Sequence, residues 1–344
     1  MTPLLQEKSA ARLKRTTSTW MEKIHLSPAE ARAVYRELQP ILPYIRCELT
    51  LVALADEIAV AMRRGLTART LNLIESFAER STLLQVIEGW PLDSLALPET
   101  PSQQSVSVGD IALYASIEVG YCILRGERPI SYIHENGGLL LRHVTPRIAQ
   151  QAESSSHGAE ILFPHTDLAN KQIAALEPVG AESPGPASLT LFALRSEVSV
   201  PTLFSAVGDI VERLPADVVH QLMQPVFEFS APQSFSAAVR TLTGPAIYLR
   251  NGKYFARYGN ISAPAGAPQG ALTQMKHILT DEGLWLPVIL LPGASISIKN
   301  TQLLHARMAM SPRFDGGDRW LIRVYGLPPQ YVKPVHKDVP FLLP

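Results

Sequence analysis

The chain has 344 residues, with 31 Lys and Arg balanced by 31 Asp and Glu. Zero net charge excludes the basic field that gathers nucleic acid or an anionic membrane surface. Two cysteines, Cys47 and Cys122, are too few for a disulfide framework, and the opening residues lack the apolar stretch of a signal peptide, so a reducing cytoplasm is the expected compartment. The longest apolar stretches, such as Leu284–Pro292, are too short to span a bilayer.

Residues 1–22 read as a polar, basic arm rich in Ser and Thr. Ser27-Pro28-Ala29-Glu30 follows, an N-cap with Pro at the first helical position and an early acid, and predicts a helix running to about Leu42, where Pro40 and Pro43 punctuate it. Apolar residues three and four apart predict two more helices over Ile45–Arg64 and Thr67–Glu79. Pro91–Ser107 is a Pro- and Ser-rich connector. On this reading residues 1–95 form a helical region packed on a core spanning 96–344.

Past the connector, short β-prone runs alternate with Gly, Pro and Asn turns: Gly138–Val144, Ile161–His165, Ser188–Leu194, Ala246–Leu249, Val288–Leu291, Ser295–Ile298 and Trp320–Tyr325. Many short strands with such punctuation predict a mainly β fold, a sandwich or barrel, with helical additions at Leu203–Leu214, Ala216–Gln224 and Gly270–Glu282. Gly and Pro cluster within Leu168–Ala187, which predicts a lid loop at about 168–187.

The candidate chemistry lies in three separate segments. His165 closes an apolar run, and Asp167 two residues on shares its face if the strand continues. His305 follows Leu303-Leu304 after a turn-like Lys299-Asn300-Thr301. Two imidazoles and one carboxylate occupy one face of an octahedron, the ligand set of non-haem Fe(II) oxygenases. Taken singly, a His-Xaa-Asp tripeptide is weak and His305 reads as a core histidine; the combination is the signal. His134, His143 and His157 read as structural or substrate-side. Arg319 and Arg323, four apart among Trp320, Leu321, Ile322 and Val324, place two guanidiniums on one face of a buried strand. Burying them is costly without anionic partners, so each is a candidate holder of a ligand carboxylate, Arg319 for a 2-oxoacid.

The segment from Asn300 to Tyr325 contains His305-Ala306-Arg307, Ser311-Pro312-Arg313, Gly316-Gly317 and Asp318-Arg319-Trp320-Leu321-Ile322-Arg323-Val324. Upstream lie Gly137–Val144, Ser154–Gly158, Leu162-Phe163-Pro164-His165-Thr166-Asp167, and Leu191–Arg195 followed by Pro201-Thr202-Leu203. Over residues 105–327 this pattern resembles the clavaminate synthase-like Fe(II)/2-oxoglutarate oxygenases, in the branch that hydroxylates free amino acids. The resemblance implies a distorted double-stranded β-helix (jelly roll) core with N-terminal helices. It implies His165, Asp167 and His305 as Fe(II) ligands, Arg319 and Thr202 as partners of 2-oxoglutarate, and Arg323 as partner of a substrate carboxylate. O2 would be the oxidant and a small amino acid or derivative the substrate, with no nucleic acid or membrane partner.

Two departures bear on that substrate. Arg142 stands where relatives often have Gln, in a substrate-contacting segment, and Arg257-Tyr258-Gly259-Asn260 lacks the acids that arginine-binding relatives carry there. Asn260 is therefore a candidate substrate contact, with neutral side chains favoured over arginine. Lysine stays open, since Glu177 or Glu182 of the lid could meet its ammonium. Competing readings are a desaturase or cyclase, a tailoring hydroxylase of a peptidyl or carrier-bound substrate, a metal-dependent hydrolase, and a non-enzymatic jelly-roll binding protein.

Overall fold

The computed structural model describes residues 19–102, 106–147, 157–174, 176, 183–231 and 241–344. In chain order the strands of its two main sheets are β1 (Met21–His25), β2 (Leu84–Glu88), β3 (Arg128–Tyr132), β4 (Arg142–Val144), β5 (Leu162–His165), β6 (Ser188–Arg195), β7 (Thr202–Ala206), β8 (Leu286–Val288), β9 (Ser295–Lys299), β10 (Leu303–Arg307), β11 (Trp320–Leu327) and β12 (Leu342–Leu343). The larger sheet has eight strands in the order β1-β2-β9-β6-β11-β3-β12, with β4 also paired to β11. The smaller runs β8-β7-β10-β5.

Side-chain alternation along β11 builds the layers. Leu321 and Tyr325 point into a core shared with Phe204 of β7 and Leu303 of β10, so the two sheets pack on each other there. Trp320, Ile322 and Val324 point the other way, into a second core beneath the helices. Those helices are α1 (Pro28–Leu38), α2 (Glu48–Ala53), α3 (Ala55–Gly65), α4 (Ala68–Glu75) and α5 (Ala112–Leu124). Farther along come α6 (Val207–Val211), α7 (Ala216–Leu222) and α8 (Ala267–Ile278), which close a third core around Phe227, Phe229 and Met275.

The start of α1 is as expected. The Ser27 hydroxyl accepts from the Glu30 amide, and the Glu30 carboxylate accepts from Ser27 N at 3.0 Å. That carboxylate also accepts from Thr67 N and Thr70 Oγ1, at 3.1 and 2.8 Å, so one side chain stitches together the first turns of α1 and α4.

Several expectations need correction. The first 95 residues are not purely helical: β1 pairs parallel with β2, and β2 joins β9, so both strands extend the large sheet. The helix expected over Ile45–Arg64 is broken at Leu54 into α2 and α3. Leu203–Leu214 opens as strand β7, whose Thr202–Ala206 run pairs with β10, and only then becomes α6. The run Val288–Leu291 is strand only to Val288. Helix α5 is absent from the expected elements because it is buried nearly all round and so has no polar face to mark its period. Part of the arm (1–18) and of the lid (175 and 177–182, with Glu177 and Glu182) lies outside the described residues. The lid's described flanks are tacked down, with Tyr132 Oη donating to Pro184 O at 2.6 Å and Gly185 N to Gln172 O at 2.9 Å. Among the described residues no helix is long and apolar enough to cross a membrane.

Helices α1 and α3 cross closely because α3 presents Gly65 at the contact. A Cβ on Gly65 would lie 2.5 Å from Val34 N, a backbone atom that cannot swing aside. Gly65→Ala should therefore destabilise the fold by about 1–3 kcal/mol despite alanine's better helix propensity. A urea midpoint unchanged from wild type would contradict this packing.

Candidate metal centre

His165 is the last residue of β5 and pairs directly with His305 of β10, so the two side chains leave the small sheet on one face. Their ring centroids are 4.1 Å apart. The His165 Nδ1 bonds Phe163 O at 2.8 Å, which leaves its Nε2 free to face inward. Asp167 is not on the strand, contrary to the spacing argument, because β5 stops at His165. Its placement comes from neighbouring bonds. Thr166 N donates to Tyr258 O at 2.7 Å, and Tyr258 N donates back to Thr166 Oγ1 at 3.1 Å. Asn300 then grips Asp167 from both sides: its Oδ1 accepts from Asp167 N and its Nδ2 donates to Asp167 O, both at 2.8 Å.

The outcome is a three-donor cluster. Asp167 Oδ1 lies 3.6 Å from His165 Nε2 and 4.0 Å from His305 Nε2. One donor atom from each residue falls within 4.8 Å of the others. Donors about 2.1 Å from one ion at right angles stand about 3 Å apart, so the three side chains would close on a metal by roughly one to two ångströms. The protonation states suit it. Burial, the adjacent His165 ring and Arg323 push His305 down to about 3, which keeps it neutral. Burial of Asp167 opposes its charge, but Arg323 and the two imidazoles override that and hold it ionised. Neutral imidazole and carboxylate are the ligating forms.

On one side of this cluster Arg319 donates from Nη2 to Thr202 Oγ1 at 3.3 Å. Both residues are buried, and no carboxylate among the described residues pairs with Arg319. Burial and the neighbouring Arg307 push Arg319 down to about 9, the mark of a guanidinium short of an anion. Arg307 itself is tied by Nη2 to the carbonyls of Gly158 and Glu160 at 2.7 and 2.9 Å. On the other side Arg323 Nη1 lies 3.6 Å from Asp167 Oδ2, and its Nη2 donates to Glu135 Oε1 at 2.7 Å. Arg142 Nη1 meets the same Glu135 oxygen at 2.6 Å. Both arginines of the 319–323 segment thus reach from the large sheet toward the small one, although a bulge between Trp320 and Leu321 interrupts the strand between them.

Asn260 is not drawn in. It is exposed, and its Nδ2 donates to Ala231 O at 3.2 Å, while the neighbouring Gly259 is the residue that faces His165. His143 accepts from Trp320 Nε1 at 3.1 Å and His157 bonds Thr145 O at 3.1 Å; burial, chiefly, pushes each down to about 4, as structural histidines. The sequence reading missed Glu135 and the clamping role of Asn300. Glu135 had one signal, an acid seven residues before Arg142 in a segment closed by Gly137-Gly138. For Asn300 the signal was a side chain able to satisfy two backbone groups, placed in a turn.

His305→Ala should abolish stoichiometric Fe(II) binding while the circular dichroism spectrum is kept; retained metal would overturn the cluster as a metal centre. Asn300→Ala leaves all three donors in place and should weaken Fe(II) binding by about 10–100-fold, since it releases the Asp167 backbone. An unchanged Fe(II) affinity in that variant would show that the clamp is dispensable.

No protein-family model matches the chain. It is 23% identical over 247 residues to the L-asparagine oxygenase of Streptomyces coelicolor, which covers 70% of each chain. It is 26% identical over 285 residues to clavaminate synthase 2 of Streptomyces clavuligerus, 79% of this chain and 81% of that one. The solved structure of the non-heme iron oxygenase OrfP with Fe and alpha-ketoglutaric acid superposes with a TM-score of 0.78 at 20% identity, covering 94% of this chain and 100% of that one. In its motifs and in its fold, the chain is similar to the clavaminate synthase-like Fe(II)/2-oxoglutarate oxygenases.

Proposed function

We propose that this chain is an Fe(II)- and 2-oxoglutarate-dependent dioxygenase that hydroxylates an unactivated C–H carbon of a free L-amino acid or close derivative. One observation carries the reading. A half-buried His165, Asp167 and His305 cluster has, on one flank, an arginine with no carboxylate partner among the described residues (Arg319, with Thr202) and, on the other, an arginine that already leans on the cluster's carboxylate (Arg323). A metal hydrolase would give neither arginine a task. The facing sheets are, on this reading, the distorted double-stranded β-helix, and the unpaired thiols of Cys47 and Cys122 suit a cytoplasmic enzyme.

His165, Asp167 and His305 would hold Fe(II) and leave three positions for other ligands. With 2-oxoglutarate and O2, the bound iron supplies an oxidative decarboxylation to succinate and CO2, coupled to oxygen insertion into a C–H bond. The protein's own residues do the positioning. Arg319 and Thr202 fix the far carboxylate of 2-oxoglutarate, which fits their shared hydrogen bond and the missing anion. Arg323 fixes a substrate carboxylate, so the carbon that reacts is set by the length of chain beyond it. The core between the sheets, with Tyr325, Phe204 and Leu321, keeps water from the reacting groups.

Succinate should form only when Fe(II) and 2-oxoglutarate are both present, and its rate should rise with the right small carboxylate. Arg319→Ala should raise the Michaelis constant for 2-oxoglutarate by the equivalent of about 2–5 kcal/mol. Arg323→Ala should damage substrate binding and leave substrate-free decay of 2-oxoglutarate nearly intact. Equal effects of the two changes on the 2-oxoglutarate constant would overturn the division of labour, and succinate formation independent of metal would overturn the function.

A further inference from the structure

The small sheet carries a second arginine beside the one that lacks an anion. Arg307 lies two residues past His305 on β10, so both side chains leave that strand on one face. Across the ladder Arg307 pairs directly with Thr202 of β7, and residues opposed in this way have Cβ atoms about 5 Å apart. Thr202 is the residue whose hydroxyl accepts from Arg319 Nη2 at 3.3 Å. One threonine is therefore flanked by two guanidiniums, Arg319 from the large sheet and Arg307 from its own. They are close enough to repel, since Arg307 is the charge that disfavours the Arg319 cation.

Arg307 is 5% exposed and Arg319 7%, and neither pairs with a carboxylate among the described residues. The bonds of Arg307 are lopsided. Its Nη2 donates to the carbonyls of Gly158 and Glu160, which secures the chain leading into β5. Its Nη1, on the same planar fork, is buried and has no hydrogen-bond partner among the described residues. A buried donor without an acceptor is costly, and more so on a charged group. Two cations around one hydroxyl add their repulsion, and an anion set between them relieves both. Securing residues 158–160 occupies Nη2 alone and gives no reason for a second buried cation beside Arg319.

Resting on the oxygenase reading above, we propose that Arg307 is a further binding residue for 2-oxoglutarate. Its Nη1 donates to the far carboxylate alongside Arg319 and Thr202, and so helps to select a dicarboxylic 2-oxoacid over a monocarboxylic one. The donor count agrees. A carboxylate has about four lone-pair sites, and a hydroxyl that accepts one bond still has its proton to give. A bidentate Arg319 would fill two sites, the Thr202 hydroxyl a third and Arg307 Nη1 the fourth. The far carboxylate would then bridge the two sheets.

The test separates this role from a structural one by changing the ligand as well as the protein. Affinities of the Fe(II)-loaded protein, without O2 so that nothing turns over, are measured for 2-oxoglutarate and for 2-oxopentanoate, which chelates iron in the same way but ends in a methyl group. Arg307→Gln keeps a donor for the Gly158 or Glu160 carbonyl and removes the charge. It should weaken 2-oxoglutarate by about tenfold or more and 2-oxopentanoate by less than about twofold. A loosened iron site would instead weaken both acids alike, and an equal loss for both, or no loss for 2-oxoglutarate, would overturn the proposal. If the variant does not fold, wild type decides with 2-oxo-4-phosphonobutanoate, at a pH where its phosphonate is doubly charged. Two cations should hold that dianion within about tenfold of 2-oxoglutarate, and a larger loss would overturn the proposal. The oxygenase reading is tested separately: neither 2-oxoacid binding to the wild-type Fe(II) protein sinks that reading and this inference with it, whereas binding of both with equal losses in Arg307→Gln sinks this inference alone.

Discussion

The geometry of the site depends on how Asp167 is held. Strand β5 ends at His165, so the regular alternation of a strand does not deliver the carboxylate. Asn300 does, by closing two hydrogen bonds on the Asp167 peptide groups from the turn that precedes β10. The turn that clamps Asp167 leads into the strand that carries His305. Two of the three donors are thus positioned by one stretch of chain, and the third by the cross-strand pairing of His165 with His305. Thr166, bonded to Tyr258 in both directions, fixes the residue in between. A donor set built this way is preorganised without a metal, and so binding costs little ordering of the chain.

Around that centre the protein tolerates a dense set of buried cations. Arg142, Arg307, Arg319 and Arg323 are all nearly inaccessible. Their neutralisation is unequal. Arg307 is tied to two carbonyl oxygens through Nη2, Arg323 and Arg142 share Glu135, and Arg319 has, among the described residues, the Thr202 hydroxyl. In a low-dielectric gap such shortfalls are stored attraction for anions. On the proposed function, Arg319 would draw in the far carboxylate of 2-oxoglutarate and Arg323 the carboxylate of the substrate by electrostatics before any shape complementarity is considered.

The legibility of this arrangement in sequence was uneven. The motif around His165, His305 and Arg319 sits on strand ends whose apolar runs are visible, and the Ser27 capping box is local chemistry, so these needed no tertiary knowledge. Helix α5 was illegible because both its faces are covered, which removes the amphipathic period. Strand β7 has no strand signal of its own in sequence because Thr202–Ala206 runs straight into α6, and only pairing with β8 and β10 makes it a strand. Glu135 is nearly silent in sequence because its role exists only when β4 and β11 bring Arg142 and Arg323 to it, and Asn260, plausible by position, turns its amide to Ala231 instead.

The most direct test of the central claim is an anaerobic titration of Fe(II) into the purified protein with 2-oxoglutarate, followed by visible absorption. A 2-oxoacid that chelates Fe(II) through its keto and carboxylate oxygens gives a metal-to-ligand charge-transfer band. The account expects that band to saturate at one Fe(II) per chain, and to be lost in His305→Ala. A protein that binds Fe(II) with no such band, or a band that persists without His305, would contradict the assignment of His165, Asp167 and His305 as the iron site.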